Sequence, residues 1–437
     1  MSNKAGLGLA TLVALVIGNT LGAGVFTTSG FAMSDLGSPV YVLLAWLVGG
    51  LLALCGAISY GSLAKLMPIS GGEYYFLSRG VHPLVGFIAG WISLWAGFTG
   101  AIAFAAITFE AYLLPGSMRA LLPENLVATL VILLAALAHG LRVRRGVLLQ
   151  NLAVVMKLLF LAGFVAFVLL SGHMGEWDGV QAWRSSPAPE FSVTAFAVTL
   201  MWVSFSYSGF NASIYVASEV RNPVYTIPRS MILATLLITT LYLLLNAIFV
   251  FAPAPDAIAG QKDIAAVAAA ALAGDTLANA MRAIIAIALF TSISAMIMVG
   301  PRVYAQMAED GLMPRVLRFT EEAPAGAIAM QAALAVALVW LTGLRELLSY
   351  LGFTLGLSTA VTVASLFTTA RRQQIDTRQL TGYPWVPITF VTMTLVFAGL
   401  AALRNPWEML AAVLTIASAV LVYFIFGRKH QRLVEHP

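Results

Sequence analysis

Val16-Ile17-Gly18-Asn19-Thr20-Leu21-Gly22-Ala23-Gly24-Val25-Phe26, VIGNTLGAGVF, lies inside the first long apolar run of the chain. A segment of that length and hydropathy reads as a membrane helix. Three glycines beside Asn19 and Thr20, however, weaken it at mid-depth. In hydrocarbon every backbone N–H and C=O needs an internal partner. A helix opened there is tolerated only where protein buries it or where it lines a polar cavity. Freed N–H groups and half-helix ends then form a site for a small charged solute, with the positive end suited to a carboxylate. Taken alone, the same glycines also fit close contact with a neighbouring helix. A second interrupted segment decides between these readings.

Around that stretch, 60% of the 437 residues are hydrophobic and 10% are charged. Soluble domains carry about 25% charged residues, so this composition excludes that class and points to a polytopic α-helical membrane protein. The first run is too long for a signal h-region and leads directly into further spans. The single cysteine, Cys55, excludes an internal disulfide and a cysteine metal cluster. The basic residues behind the net charge of +5 sit in loops, which argues against nucleic acid as a partner.

Twelve spans are predicted. Spans one to five run over 9–33, 38–64, 84–112, 124–140 and 148–170. Spans six to ten cover 191–217, 230–251, 278–305, 325–342 and 346–368. Two more follow at 385–402 and 407–427. With Met1 inside, six of the 24 Lys and Arg fall outside, namely Arg119, Arg184, Lys262, Arg282, Arg345 and Arg404. Lys157 falls mid-membrane and the other 17 lie inside, including Lys4, Arg142, Arg144 and Arg145. This bias places both termini of a multi-pass membrane protein in the cytoplasm. The outer loop 171–190, with Trp177 and Pro187, reads as an irregular cap, and 256–275 as a short helix on the outer face. Residues 1–427 form one transmembrane domain, and 428–437 a basic cytoplasmic tail.

The second interruption is Ser204 to Asn211, SFSYSGFN, inside span six and five spans after the first. Hydroxyls, glycine and amide packed this closely suit a cavity lining better than a lipid face. Broken segments at matching positions in two halves mark the binding site of an inverted-repeat transporter. The repeats would be 9–170 and 191–368, with 385–427 additional.

On these motifs the chain resembles the amino acid–polyamine–organocation transporter superfamily, and within it the bacterial relatives of the L-type amino acid transporters. GAGVF at Gly22–Phe26 and FSYSGFN at Phe205–Asn211 carry the resemblance. SGGEYYF at Ser70–Phe76, EVRNPVYTIP at Glu219–Pro228 and AEDGLMPR at Ala308–Arg315 support it. The resemblance implies a five-plus-five inverted-repeat, LeuT-like fold with discontinuous helices one and six, two additional helices and alternating access. It implies that N–H groups around Gly22, Ala23 and Gly24 receive a substrate carboxylate. Carbonyls near Thr20 and along Phe205, Ser206, Tyr207 and Ser208 would receive its ammonium group. Ala23 departs from the serine frequent in the family, which shifts anchoring toward backbone groups. Phe205 resembles the aromatic gate over the substrate. Asn211 is expected to orient the unwound strand, and Tyr207 to face either cavity or scaffold.

Neither break carries a carboxylate, which favours neutral amino acids over cationic ones. Glu110, near the outer end of span three, reads as a solvated carboxylate rather than a pathway residue. Lys157 is placed by the resemblance at the position sodium occupies in sodium-coupled relatives. Helix-one carbonyls and the hydroxyls of Thr291, Ser292 and Ser294 would be its acceptors; snorkelling to the interface is the alternative. Glu219 and Arg221 are expected to pair with Arg79 or Arg302 in one state, and Asp310 to end a helix. His82 and His139 show no sequence partner, and no metal ligands, cofactor motif or catalytic set is found. The expected function is therefore not an enzyme's. It is sodium-independent exchange of neutral L-amino acids across the cell inner membrane, with a proton-coupled symporter and a non-transporting sensor as alternatives. The sequence leaves open whether a single-span subunit or a second copy accompanies the chain in the bilayer.

Overall fold

The computed structural model describes residues 6–114, 118, 121–140, 146–172, 174–185, 189–309, 311–319 and 324–427. Lys4, Arg119, Arg142, Arg144, Arg145, Pro187, Asp310 and the tail from Arg428 lie outside them. Helices α1 (Leu9–Thr20), α2 (Thr28–Leu36), α3 (Pro39–Leu66), α4 (Gly72–Gly80) and α5 (Pro83–Leu113) come first. Next are α6 (Leu126–Gly140), α7 (Gly146–Ser171), α8 (Asp178–Ser185), α9 (Val193–Ser206) and α10 (Pro223–Phe251). Then follow α11 (Pro255–Ile258), α12 (Ile264–Glu309), α13 (Ala325–Leu341), α14 (Leu344–Arg372), α15 (Trp385–Ala402) and α16 (Pro406–Val422). Among the described residues there is no β-strand, only an isolated parallel bridge between Leu7 and Val220.

Local chemistry sets the helix ends. Pro39, Pro83, Pro223 and Pro406 open α3, α5, α10 and α16, where the absent N–H would have no intrahelical partner anyway. Gly37 ends α2 at φ +62°, returning its N–H to Met33 O. His82 has a partner after all: its Nδ1 accepts the Leu84 N–H and caps α5.

Among the described residues, seven helices are long and apolar enough to cross a membrane, and five shorter apolar helices accompany them. Large apolar side chains stay turned outward, such as Leu133, Leu134 and Leu137 on α6 and Leu410, Leu414 and Leu421 on α16. That is the surface a hydrocarbon solvent requires. Inside, Trp46, Trp202, Tyr207 and Tyr242 are fully buried among the helices.

Span one is interrupted as expected. α1 stops at Thr20, a single 3-10 turn occupies Ala23–Phe26, and α2 resumes at Thr28. Span six runs as α9 to Ser206, loosens over Tyr207–Asn211 and continues as a 3-10 segment, Ala212–Glu219. Two connecting regions differ from expectation. The 171–190 loop contains α8, whose Gly179 lies against the carbonyls of Phe251 and Pro253. The alanine-rich stretch is α11 plus the first turns of α12, bent at Ala273 and Gly274. Its Ala265, Ala266, Ala268 and Ala269 are buried, because these small side chains let α12 pack closely instead of lying free on the surface.

Candidate functional site

The two breaks lie against each other. A Cβ on Gly24 would stand 2.3 Å from Ser206 Oγ and 2.9 Å from Ser206 Cα. Gly209, at φ +106°, also lies close to the first break, with an added Cβ 3.0 Å from the Asn19 carbonyl. Only glycine satisfies both the conformation and the approach at that position. Thr28 Oγ1 meets Ser206 Oγ at 3.1 Å, and Ser206 Oγ also donates to Trp202 O.

Ending α1 at mid-protein leaves its last carbonyls without helical N–H partners. Gly22 N–H turns back to Thr20 O at 2.8 Å, and two side chains from distant parts of the chain supply further donors. Lys157 Nζ, on α7 and 4% exposed, donates to Leu21 O at 2.5 Å. Tyr242 Oη, on α10, stands 2.7 Å from Thr20 O and 3.1 Å from Ser206 O. Its single proton is thus shared between the final carbonyls of both half-helices. Each of these ends carries the partial negative charge of a helix C-terminus, so donors there also offset the dipole. Sequence reasoning missed Tyr242. The available signal was Tyr242 followed at i+4 by Asn246, the one amide in a span whose other polar residues are serine and threonine, which places two polar groups on one helix face.

Tyr242 is held in turn. Its ring lies 5.1 Å from Tyr207 and 5.2 Å from Trp46, and Asn246 Nδ2 donates to Tyr242 O. Asn246 Oδ1 accepts from Ser29 Oγ, which accepts from Trp46 Nε1. Tyr207 is 1% exposed and donates to Trp46 O, so it belongs to this α3–α10 cluster. Phe205 is half-buried and meets Phe104 of α5 edge-on at 5.3 Å. A cavity of about 50 Å³ adjoins Phe205, Tyr207 and Ser208, closed by Gly49 and Ala53 of α3 and Gly356 and Thr359 of α14. The break-one residues Thr20, Gly22, Ala23 and Gly24 do not line it.

The other candidate residues fall as follows. Thr291 and Ser292 return their hydroxyls to Ala288 O within α12. Ser294 Oγ pairs with His139 Nε2 at 2.8 Å, which gives His139 the partner that the sequence did not reveal. Lys157 is bound to helix one rather than to these three hydroxyls. Glu110 is largely buried rather than freely solvated, and it lines a cavity of about 350 Å³ with Glu124 and Lys262. At 9% exposure it accepts the N–H groups of Asn125 and Ala128, serving the start of α6. No ion pair joins Glu219 or Arg221 to Arg79 or Arg302 among the described residues. Their backbones bracket Leu7 instead, which ties the start of the chain to the end of span six.

At the start of α14, Arg345 Nη2 reaches both oxygens of Asp35, whose side chain is 5% exposed, at 2.6 and 2.7 Å, and its guanidinium lies 5.2 Å from the Trp202 ring. This joins α2, α9 and α14 above the breaks. Below them, Asn211 Nδ2 donates to Glu73 Oε1 at 3.2 Å. Burial pushes the Glu73 carboxyl up from its ordinary range, against the hydrogen bonds from Tyr60 and Ser358.

A family model described as "Amino acid permease" matches residues 7–427. The human "Large neutral amino acids transporter small subunit 2" is 26% identical over 83% of this chain and 69% of its own length. The human "b(0,+)-type amino acid transporter 1" is 26% identical over 96% of this chain and 87% of its own. The mouse "Asc-type amino acid transporter 1" is 24% identical over 99% and 83%. The chain belongs to the amino acid permease family and is a multi-pass membrane protein.

Proposed function

We propose that this protein exchanges neutral L-amino acids across the cytoplasmic membrane by alternating access, without sodium. The observation that carries this reading is the apposition of two half-helix ends beside a buried ammonium. Lys157 donates to break one, and Tyr242 joins the carbonyl ends of both breaks. A zwitterion needs donors at its carboxylate and acceptors at its ammonium, and two broken helices offer both. In this reading Gly22, Ala23 and Gly24 bind the carboxylate. Thr20 and Phe205–Ser208 contribute acceptors, and Asn211 orients the strand. The ammonium of Lys157 stands where a sodium ion would otherwise brace helix one. Catalysis plays no part. The fold of the proposal has twelve spans, the seven long helices with the five shorter ones, arranged as two five-helix repeats and a final pair. Both termini are cytoplasmic. The names of the relatives, which specify neutral amino acids in one case, agree with the substrate class.

Purified protein in liposomes should take up a labelled neutral amino acid much faster when unlabelled neutral amino acid is trapped inside. Absence of uptake across a broad amino-acid panel would overturn the reading. Proton-driven accumulation into liposomes lacking internal substrate would replace it by symport, and binding without flux would make the protein a sensor.

Phe205 is the aromatic gate of this proposal. Phe205→Ala removes the ring that packs on Phe104, an edge contact contributing about 0.5–1.5 kcal/mol beyond its buried area. Exchange should fall severalfold while the variant remains monodisperse and retains weak substrate binding. A folded Phe205→Ala protein exchanging at the wild-type rate would remove the residue from this role.

A further inference from the structure

The SGGEYYF motif, Ser70–Phe76, has no place in the substrate site as described, yet it touches the segment that carries the second break. Ser70 and Ser218 exchange reciprocal bonds, Ser70 N to Ser218 Oγ at 3.1 Å and Ser218 N to Ser70 Oγ at 2.9 Å. Gly72 sits at φ +59° directly under Tyr215, where an added Cβ would come 2.2 Å from the ring. The other end of α4 is tied to the inner end of α14, through Thr368 Oγ1 and Arg372 Nη1 to Gly80 O. Helix α4 is therefore a strap running from the inner half of span six to the inner end of span ten.

Glu73 is the centre of that strap. Tyr60 Oη of α3 donates to Oε1 at 2.5 Å, Asn211 Nδ2 to the same oxygen at 3.2 Å, and Ser358 Oγ of α14 to Oε2 at 3.1 Å. Three donors from three elements converge on one carboxylate. Because Glu73 accepts, the Asn211 amide must present its nitrogen to it, which leaves Oδ1 as the remaining acceptor of that side chain. The orientation of a side chain on the unwound strand is thus decided from outside the strand.

We propose that Glu73 is a positioning residue: it orients Asn211 and holds the inner half of span six against spans two and ten, so that this half swings toward the cytoplasm only when the Glu73–Asn211 bond breaks. The inference deepens the transport reading and rests on it for its flux measurement alone. A substrate-free measurement stands apart from that reading.

The substrate-free measurement uses a Cys55→Ala background carrying Thr359→Cys, a reporter beside Ser208 on the wall of the small cavity. A membrane-impermeant maleimide is applied from the cytoplasmic side of oriented vesicles. Glu73→Ala should speed labelling at least about fivefold. Glu73→Gln should stay within about twofold of the parent, because its amide oxygen still accepts from Tyr60 and Asn211 while its nitrogen donates to the Ser358 hydroxyl. Asn211→Ala should reproduce the Glu73→Ala rate, and the double variant should label no faster than either. In the flux measurement Glu73→Ala should raise the KM for internal amino acid about tenfold, and again add nothing in the Asn211→Ala background. Parental labelling of Glu73→Ala, equal loss in Glu73→Gln, or additive effects in the double variant would each overturn the proposal. Should Glu73→Ala fail to fold, Asn211→Ala alone carries the labelling test, and a parental rate there overturns it. If wild-type protein moves no amino acid while the labelling pattern holds, the transport reading fails and the positioning role stands.

Discussion

Lys157→Ala should reduce exchange in sealed liposomes at least tenfold under every combination of proton and sodium gradients. The ammonium is 4% exposed and its hydrogen bond goes to Leu21 O, at the open end of α1. A charge-assisted bond of this kind is worth about 1.5–3 kcal/mol, or roughly one to two decades in an equilibrium. Its loss also leaves a carbonyl without a partner in a region closed to water, which adds a desolvation penalty. Alanine creates a void as well, so Lys157→Met, which retains most of the volume, isolates the missing ammonium. Both variants should lose exchange to a similar degree while remaining monodisperse. Wild-type exchange should be indifferent to sodium, since the cation that braces helix one is covalently part of the chain. Strict sodium dependence of the wild type would defeat the surrogate-cation role. A wild type that concentrates substrate on an inward proton gradient, with Lys157→Met losing that response alone, would make the lysine a proton carrier rather than a brace.

Gly24→Ala should be nearly as damaging, for a different reason. The added methyl would stand 2.3 Å from Ser206 Oγ and 2.9 Å from Ser206 Cα. The hydroxyl can rotate away but the Cα belongs to the backbone, so α9 must retreat from the 3-10 turn at Ala23–Phe26. Overpacking of this kind costs about 1–3 kcal/mol when it is absorbed by backbone shifts. The shift falls on the contact that holds the two breaks together, including the pairing of Thr28 with Ser206 and the Tyr242 proton shared between Thr20 O and Ser206 O. Exchange should drop at least tenfold, with apparent substrate affinity falling alongside. Gly163→Ala on α7 is the matched control, because no atom lies within 4 Å of its added Cβ. It should behave as wild type. Ser206→Gly in the Gly24→Ala background removes the nearest atoms and should restore part of the rate. Full activity in Gly24→Ala alone would mean that transport does not require the two breaks to remain this close.

The Asp35–Arg345 contact on one side and the Glu73 cluster on the other bracket these breaks. Asp35 is joined to Arg345 above, and Asn211 to Glu73 below. Each contact links a broken segment to an intact neighbouring helix, which fits a mechanism in which the broken segments move against a steadier frame. Exposed ion pairs contribute little, but the Asp35 side chain is only 5% exposed, and Arg345 Nη2 alone reaches both of its oxygens, so this contact is charge-assisted and screened less than a surface pair.

The amino-acid sequence by itself determined that this chain is helical and membrane-embedded, and where its helices fail. Those properties are local. Apolar run length answers to bilayer thickness, and glycine with polar residues inside such a run weakens the helix where it stands. Gly22–Gly24 and Ser204–Asn211 accordingly mark both interruptions, although α9 holds its helix to Ser206 before loosening. Lys157 stood out as well, being a lone cation in an apolar span. Only the tertiary structure decided what each polar group meets. Lys157 finds a carbonyl 136 residues away, not the α12 hydroxyls, and Tyr242 finds one 222 residues away. Glu110 serves the start of α6, His139 serves Ser294, and Glu73 gathers donors from α3, from Asn211 and from α14. The physical reason is that a helix satisfies its own backbone within four residues, so its pattern is written in the neighbourhood. A carbonyl released by a break takes whichever donor the packed helices bring to it, and which one arrives is a property of the packing.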